Sequence, residues 1–125
     1  MRITVTQNGF RKNEIFFTSA YGEGRGIWYG AHATPLEEIN VEFELTQLFM
    51  RWVDIVPADK GEAGISMDGD RVVFTGILED IDEDGTGYLR LGESVLMFES
   101  LGEPMALGIY ASISVKEPGI YPIVV

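Results

Sequence analysis

The chain reads as an all-β protein: a single small antiparallel barrel with an N-terminal β-hairpin and at most one short helical turn. Three observations carry that expectation. Apolar residues recur at every second position over short runs, as in LGIYASISVKE, where Ile109, Ala111, Ile113 and Val115 alternate with Tyr110, Ser112, Ser114 and Lys116. Gly, Asn, Asp and Pro punctuate these runs at short spacing. No segment sustains the 3.6-residue period of an amphipathic helix, and many short strands with tight turns close into a sandwich or barrel.

In chain order, RITVTQ and FRKNEIFFTS flank Asn8-Gly9, a pair that favours the positive-φ conformations of a tight hairpin turn. The glycine-rich YGEGRGIWYG follows and reads as a flexible loop. Thr34-Pro35-Leu36-Glu37 offers an N-cap, a proline at the first helical position and a glutamate three residues on, enough for one helical turn. VEFEL alternates Val41, Phe43 and Leu45 inward with Glu42 and Glu44 outward. The phase slips near Thr46-Gln47, after which Leu48, Met50 and Trp52 take the apolar positions. A bulge or bend explains such a slip, and a short helix over TQLFMRW competes with it. PADKGEAGISMDGD is a polar loop. DRVVFTGILEDI then carries Gly76 in mid-strand, where a missing side chain marks a bend. GYLRL places Leu89 and Leu91 on one face, SVLMFES is apolar on both, and IYPIVV has Pro122 where only an edge or a strand end tolerates it.

The 125 residues are read as one domain, with a hairpin and glycine-rich loop over 1–30 and the barrel over 41–125. A hydrophobic fraction of 46% is that of a folded globular chain. No run of about 18 apolar residues offers a membrane helix. The start, MRITVTQNGFRKNEIFF, lacks the basic flank and apolar stretch of a signal peptide. There is no cysteine, which removes disulfides and thiolate metal sites and fits the cytoplasm. Nine basic residues against twenty acidic ones leave a formal charge of −11. Such a surface repels phosphate backbones, so nucleic acid is not an expected partner, and with no apolar run long enough to span it neither is a membrane.

From about residue 41 onward, "VVFTGIL", "GYLRLGESVLMFE" and "LGIYASISV" resemble the strands of an OB-fold type of small barrel. The resemblance is architectural and spans residues 41–125. One departure is plain: only SLGEPMA separates the last two barrel strands, too short for the helix that plugs the bottom of such barrels. Either the N-terminal hairpin covers that end instead, or the barrel is a different one.

The acidic stretch DIDEDGTGYLRL places Asp80, Asp82 and Asp84 at alternate positions before Gly85, as in the first half of a calcium loop. The twelfth position is Leu91 where such a loop needs a bidentate glutamate, and the flanks are strand-like. It is not an EF-hand. A hairpin tip whose Asp84-Gly85 supplies the left-handed residue is one reading; a looser calcium site that also uses Glu79 and Glu83 is the other. Gly22, Gly24 and Gly26 precede IWYG, without the helix and Gly-Lys-Ser/Thr of a phosphate loop. His32, the single histidine, has no nucleophile motif beside it. Phe43, Phe74, Phe98 and Trp52 fall in apolar phases and are assigned to the core.

These features point to a non-enzymatic, acidic interaction protein that docks onto a basic protein partner, with the physical profile of immunity proteins that cover basic sites on nuclease toxins. No cofactor is expected. Arg25, Trp28 and Tyr29 in the glycine-rich stretch, with Glu79 and Glu83, are the candidate contact residues, since Arg, Trp and Tyr anchor interfaces. The alternative is a barrel binding calcium, through Asp80, Asp82 and Asp84, or a small carbohydrate. A structural homo-oligomer remains, because the apolar surplus of SVLMFES calls for cover by the hairpin or by a second subunit.

Overall fold

The computed structural model describes residues 1–123. Val124 and Val125, the end of the strand candidate IYPIVV, lie outside the described residues. Twelve strands and no helix make up the described chain. They are β1 (Arg2–Asn8), β2 (Glu14–Ser19), β3 (Gly22–Trp28), β4 (Glu38–Glu44), β5 (Leu48–Met50), β6 (Ile55–Pro57), β7 (Gly64–Asp68), β8 (Arg71–Ile81), β9 (Thr86–Leu91), β10 (Ser94–Leu101), β11 (Tyr110–Val115) and β12 (Gly119–Pro122).

Five of them close a barrel. β1, β2 and β3 form an antiparallel meander, β4 returns beside β1, and β12 fills the gap between β4 and β3. The spatial order β4-β1-β2-β3 is a Greek key. The ring therefore runs through residues 2–44 and 119–122, not through 41–125, and the N-terminal hairpin is a wall of the barrel rather than its cover. The chain between β4 and β12 builds a second, mostly antiparallel sheet. In it β8 pairs with β7 and β9 along one edge and with β11 along the other, while β10 follows β9. The antiparallel expectation holds for most ladders, but β3–β12, β3–β7 and β5–β10 are parallel. Each of these joins strands far apart in sequence, where no hairpin dictates direction.

One core serves both parts. The Phe43 ring lies 5.4 Å from Phe17 in the barrel and 5.3 Å from Phe74 in the second sheet. Phe49 and Phe98 meet edge-on at 6.1 Å under β5 and β10. The alternation read in β8, β9 and β11 is the burial seen: Val72, Phe74, Leu78, Leu89, Leu91, Ala111, Ile113 and Val115 are all buried.

Several local expectations change. Asn8-Gly9 does not make a two-residue turn. β1 and β2 are joined by residues 9–13, and the positive φ, 62°, belongs to Asn13. The glycine-rich segment is not a flexible loop but strand β3. A Cβ at Gly24 would lie 2.7 Å from the Phe17 ring, and one at Gly26 2.7 Å from Ile120 Cδ1, so these glycines let neighbouring side chains lie flat on the strand. Thr34–Glu37 is a β-turn closed by Glu37 N–H to Thr34 O (3.1 Å), with Leu36 at φ 70°, not a helical turn. After Thr46-Gln47 the phase is opposite to the one read. Phe49 is buried, while Leu48, Met50 and Trp52 face solvent, and Trp52, at φ 72°, turns the chain between β5 and β6. Trp52 is half exposed and is not a core residue. Residues 64–68, read as part of a polar loop, form β7.

Candidate functional site

A cleft of about 850 Å³ lies between β4 in the barrel and β10 in the second sheet. It exists because two ladders stop short. β10 is covered on its outer edge by β5 only at Glu99–Leu101. β4 is covered by β1 at 38–40, after which Met1 pairs with Val41. Beyond those points the strand edges face each other across the cleft.

The direction of the backbone groups follows from the registers. Ser100 N–H donates to Gly85 O (2.8 Å), so alternate residues Ser100, Phe98, Leu96 and Ser94 turn their N–H and C=O toward β9. Val95 and Met97 therefore turn theirs the other way, into the cleft. Across it, Ile123 N–H donates to Asn40 O (2.9 Å) and Val41 N–H to Met1 O (2.7 Å), so Phe43 also points its backbone groups into the cleft. No backbone hydrogen bond joins β4 to β10 among the described residues.

The side chains give the cleft its character. Val95 and Met97 are about half exposed, with Phe43, Tyr121 and Ile123 completing the apolar lining. Glu42, Glu44, Glu93 and Glu99 also line it; among the described residues no lysine or arginine does, and the one cationic group there is the Met1 ammonium, which donates to Val41 O (2.8 Å). Glu99 takes the Thr86 hydroxyl at 2.9 Å. Tyr121 stacks on Tyr29 with ring centroids 4.8 Å apart and planes 8° from parallel. Partial burial first, then the charge of Glu44 and a hydrogen bond to it, hold the Tyr121 phenol above the ordinary tyrosine pKa.

The residues singled out in the sequence lie elsewhere or are engaged. Arg25 is largely buried, 3.7 Å from the buried Glu14 carboxylate, and also donates to Asp70 O. Glu14 accepts the Phe10 N–H as well, so this buried acid is held by its neighbours. Trp28 is buried and its indole N–H donates to Ala31 O, so it anchors the barrel. Only Tyr29 of the three is exposed, at the edge of the Tyr121 stack. His32 is exposed in the loop after β3.

The acidic loop is a hairpin tip. Asp82 Oδ1 accepts the backbone N–H of Asp84 (3.0 Å) and of Thr86 (3.1 Å), and Gly85 takes the left-handed position at φ 86°. Glu79 is the extra residue of a β-bulge between Leu78 and Asp80, and it pairs with Arg90 at 2.6 Å. Asp80 sits opposite Tyr88 in the ladder, and Glu83 is exposed on the tip. Among the described residues no three His, Asp or Glu side chains gather closely enough to hold a metal ion.

No family model, no curated protein and no solved structure matches this chain. The cleft residues Val95, Met97, Glu93 and Glu99 were not singled out from the sequence, and Phe43 was assigned to the core rather than to a site. The only sign of them was the two-sided apolarity of SVLMFES.

Proposed function

We propose that this is a non-enzymatic, acidic interaction protein that docks onto a basic protein partner, in the manner of an immunity or inhibitor protein, and that the cleft between β4 and β10 is the docking site. The observation that carries the reading is the lining: apolar side chains flanked by four glutamates, against which the described residues set no lysine or arginine and only the Met1 ammonium, held on Val41 O at 2.8 Å. Apolar contact supplies affinity, and the surplus of carboxylates steers a cationic surface into place and fixes its orientation. The barrel itself is read as OB-type, since its five strands follow a Greek-key path closed by the last strand. The finding that Arg25 and Trp28 are internal moves the contact surface away from the glycine-rich strand.

The test is a titration of the protein with a short peptide alternating lysine and valine, at low and high salt, followed by calorimetry. Binding is expected to weaken with salt. Replacing Glu42, Glu44, Glu93 and Glu99 together by Gln removes four exposed attractions of roughly 0.5 kcal/mol each, about 2 kcal/mol or some thirtyfold in affinity. Equal binding by this variant, or by an alternating glutamate–valine peptide, would refute the docking site.

A further inference from the structure

We propose that the docking surface holds an arginine subsite, in which a guanidinium of the partner lies on the free face of the Tyr121 ring and pairs at its edge with Glu42 and Glu44. The inference rests on the docking reading above and names the side chain that anchors it. Two tyrosines that the core does not use form the floor of the subsite. Trp28, Ile120 and Val41 are buried, so their neighbours Tyr29, Tyr121 and Glu42 fall on the outer face of the barrel. The ladders set these three in one row. Tyr29 N–H donates to Ile120 O (2.9 Å) at the end of the parallel β3–β12 pairing, and Tyr121 is the partner of Glu42 across β12 and β4. In the next row Gly119 is the partner of Glu44. Both rings lean over this glycine, since a Cβ there would lie 3.2 Å from Tyr29 Cε2 and 3.4 Å from Tyr121 Cε2.

Tyr29 reaches Tyr121 from the β3 side of β12 and covers one face of its ring, with the centroids 4.8 Å apart. The other face is turned toward β4, where the two glutamates stand. Tyr29 is 56% exposed and Tyr121 36%, so the stack stands in water. The Tyr121 phenol donates to Glu44 and stays neutral, its pKa held above the ordinary value by partial burial and then by that carboxylate. Among the described residues neither Glu42 nor Glu44 forms an ion pair with lysine or arginine. The Met1 ammonium feels the charge of Glu42 but donates to Val41 O. A cation is attracted to the face of an aromatic ring. A guanidinium is flat and weakly hydrated, so it can lie on the ring while its fork of N–H groups meets carboxylates at the rim. A lysine ammonium, compact and strongly hydrated, gains less from the same floor. All four side chains rise from the outer face of β3, β12 and β4, so the arginine needs no chain threaded between β4 and β10.

The experiment compares two peptides of equal length on the intact protein, one alternating arginine with valine and the other lysine with valine. Calorimetry gives their affinities, and proton NMR follows the arginine side chains. The arginine peptide is expected to bind roughly two- to fivefold more tightly, with arginine δ-methylene protons moved upfield by the ring current of Tyr121. Tyr121→Leu is expected to abolish both the preference and the upfield shift, while salt-sensitive binding of both peptides persists. Tyr121→Phe keeps the ring and is expected to keep the preference. Equal, salt-sensitive binding of the two peptides with no upfield shift would overturn the arginine subsite and leave the docking reading intact. A preference for arginine that survives Tyr121→Leu would overturn the subsite as well. Binding of neither peptide, or binding indifferent to the four Glu→Gln changes, would overturn both. If Tyr121→Leu does not fold, the ring-current shift on the native sequence still decides the matter.

Discussion

Asp82→Ala is the substitution that separates a turn from a metal site. In the structure one oxygen of this carboxylate accepts two backbone N–H groups, from Asp84 and Thr86, while the Asp82 C=O accepts the Gly85 N–H at 3.0 Å. Gly85 O in turn receives both the N–H and the hydroxyl of Ser100, each at 2.8 Å, so the tip is tied to β10. A hydrogen bond of this kind contributes about 0.5–1.5 kcal/mol net, and the tip is exposed, which favours the lower half of that range. Losing two costs about 1–2 kcal/mol, much as losing an N-cap side chain does. For a domain of this size that lowers Tm by roughly 3–6 °C. Asp82→Asn keeps an acceptor at the same place and is expected to cost less than about 0.5 kcal/mol. Asp84→Ala is expected to be similarly mild, since only its backbone N–H takes part in the turn. The assay is urea and thermal unfolding of all four proteins, in chelator and then in millimolar calcium. A native-state ligand raises Tm, so the turn reading requires no calcium-specific rise in any of them. A rise in the unsubstituted protein that is lost equally in Asp82→Ala, Asp82→Asn and Asp84→Ala would refute it.

Two further outcomes follow from the same packing. Gly76→Ala places a Cβ against the Arg90 carbonyl and 2.9 Å from Leu91 Cδ1, in a strand paired on both edges, so it is expected to cost about 1–3 kcal/mol in urea unfolding; unchanged stability would mean that β8 and β9 are not so closely apposed. Tyr121 is expected to titrate above the ordinary tyrosine value in an ultraviolet absorbance titration, and Glu44→Gln to bring it down toward that value. The sign for stability is set by the raised folded-state pKa: this contribution is complete below the ordinary tyrosine pKa and is lost as pH rises through the folded one.

What the sequence made legible and what it hid divide along a physical line. β8, β9 and β11 were readable because each has one face in the core and polar residues marking the other. β3 was hidden because Gly24 and Gly26 were chosen by the Phe17 ring and Ile120 lying across them, a contact with partners distant in sequence or across a turn. The phase of β5 was hidden because Leu48, Phe49 and Met50 are all apolar, so nothing in the run says which of them points inward. The closed ring was placed too late in the chain because its last strand, β12, is only four residues long and pairs with β3 and β4 across the whole intervening sheet. The hairpin tip was legible as one of two readings, and the hydrogen bonds of Asp82 favour the turn. The cleft could not be read at all, because it is made by two ladders that end early, and pairing length leaves no mark in local periodicity.

That origin also gives the glutamates a second consequence. An open strand edge carrying exposed Val95 and Met97 is a template for association with any extended chain, including another copy of this one. Charged side chains along an edge suppress such pairing when the incoming strand bears the same sign, and a chain with a formal charge of −11 brings mostly that sign. Glu99 follows the apolar pair on β10 and Glu93 precedes it in the β9–β10 turn, while Glu42 and Glu44 stand across the cleft on β4. The arrangement that keeps copies apart is the one that would admit the cationic partner proposed for the cleft. Neutralising the four acids therefore works in two directions at once, weakening capture of a basic segment and removing the barrier to self-association. A rise in self-association of the Glu→Gln variant in analytical ultracentrifugation, alongside its loss of peptide binding, is what a single electrostatic filter at this edge requires.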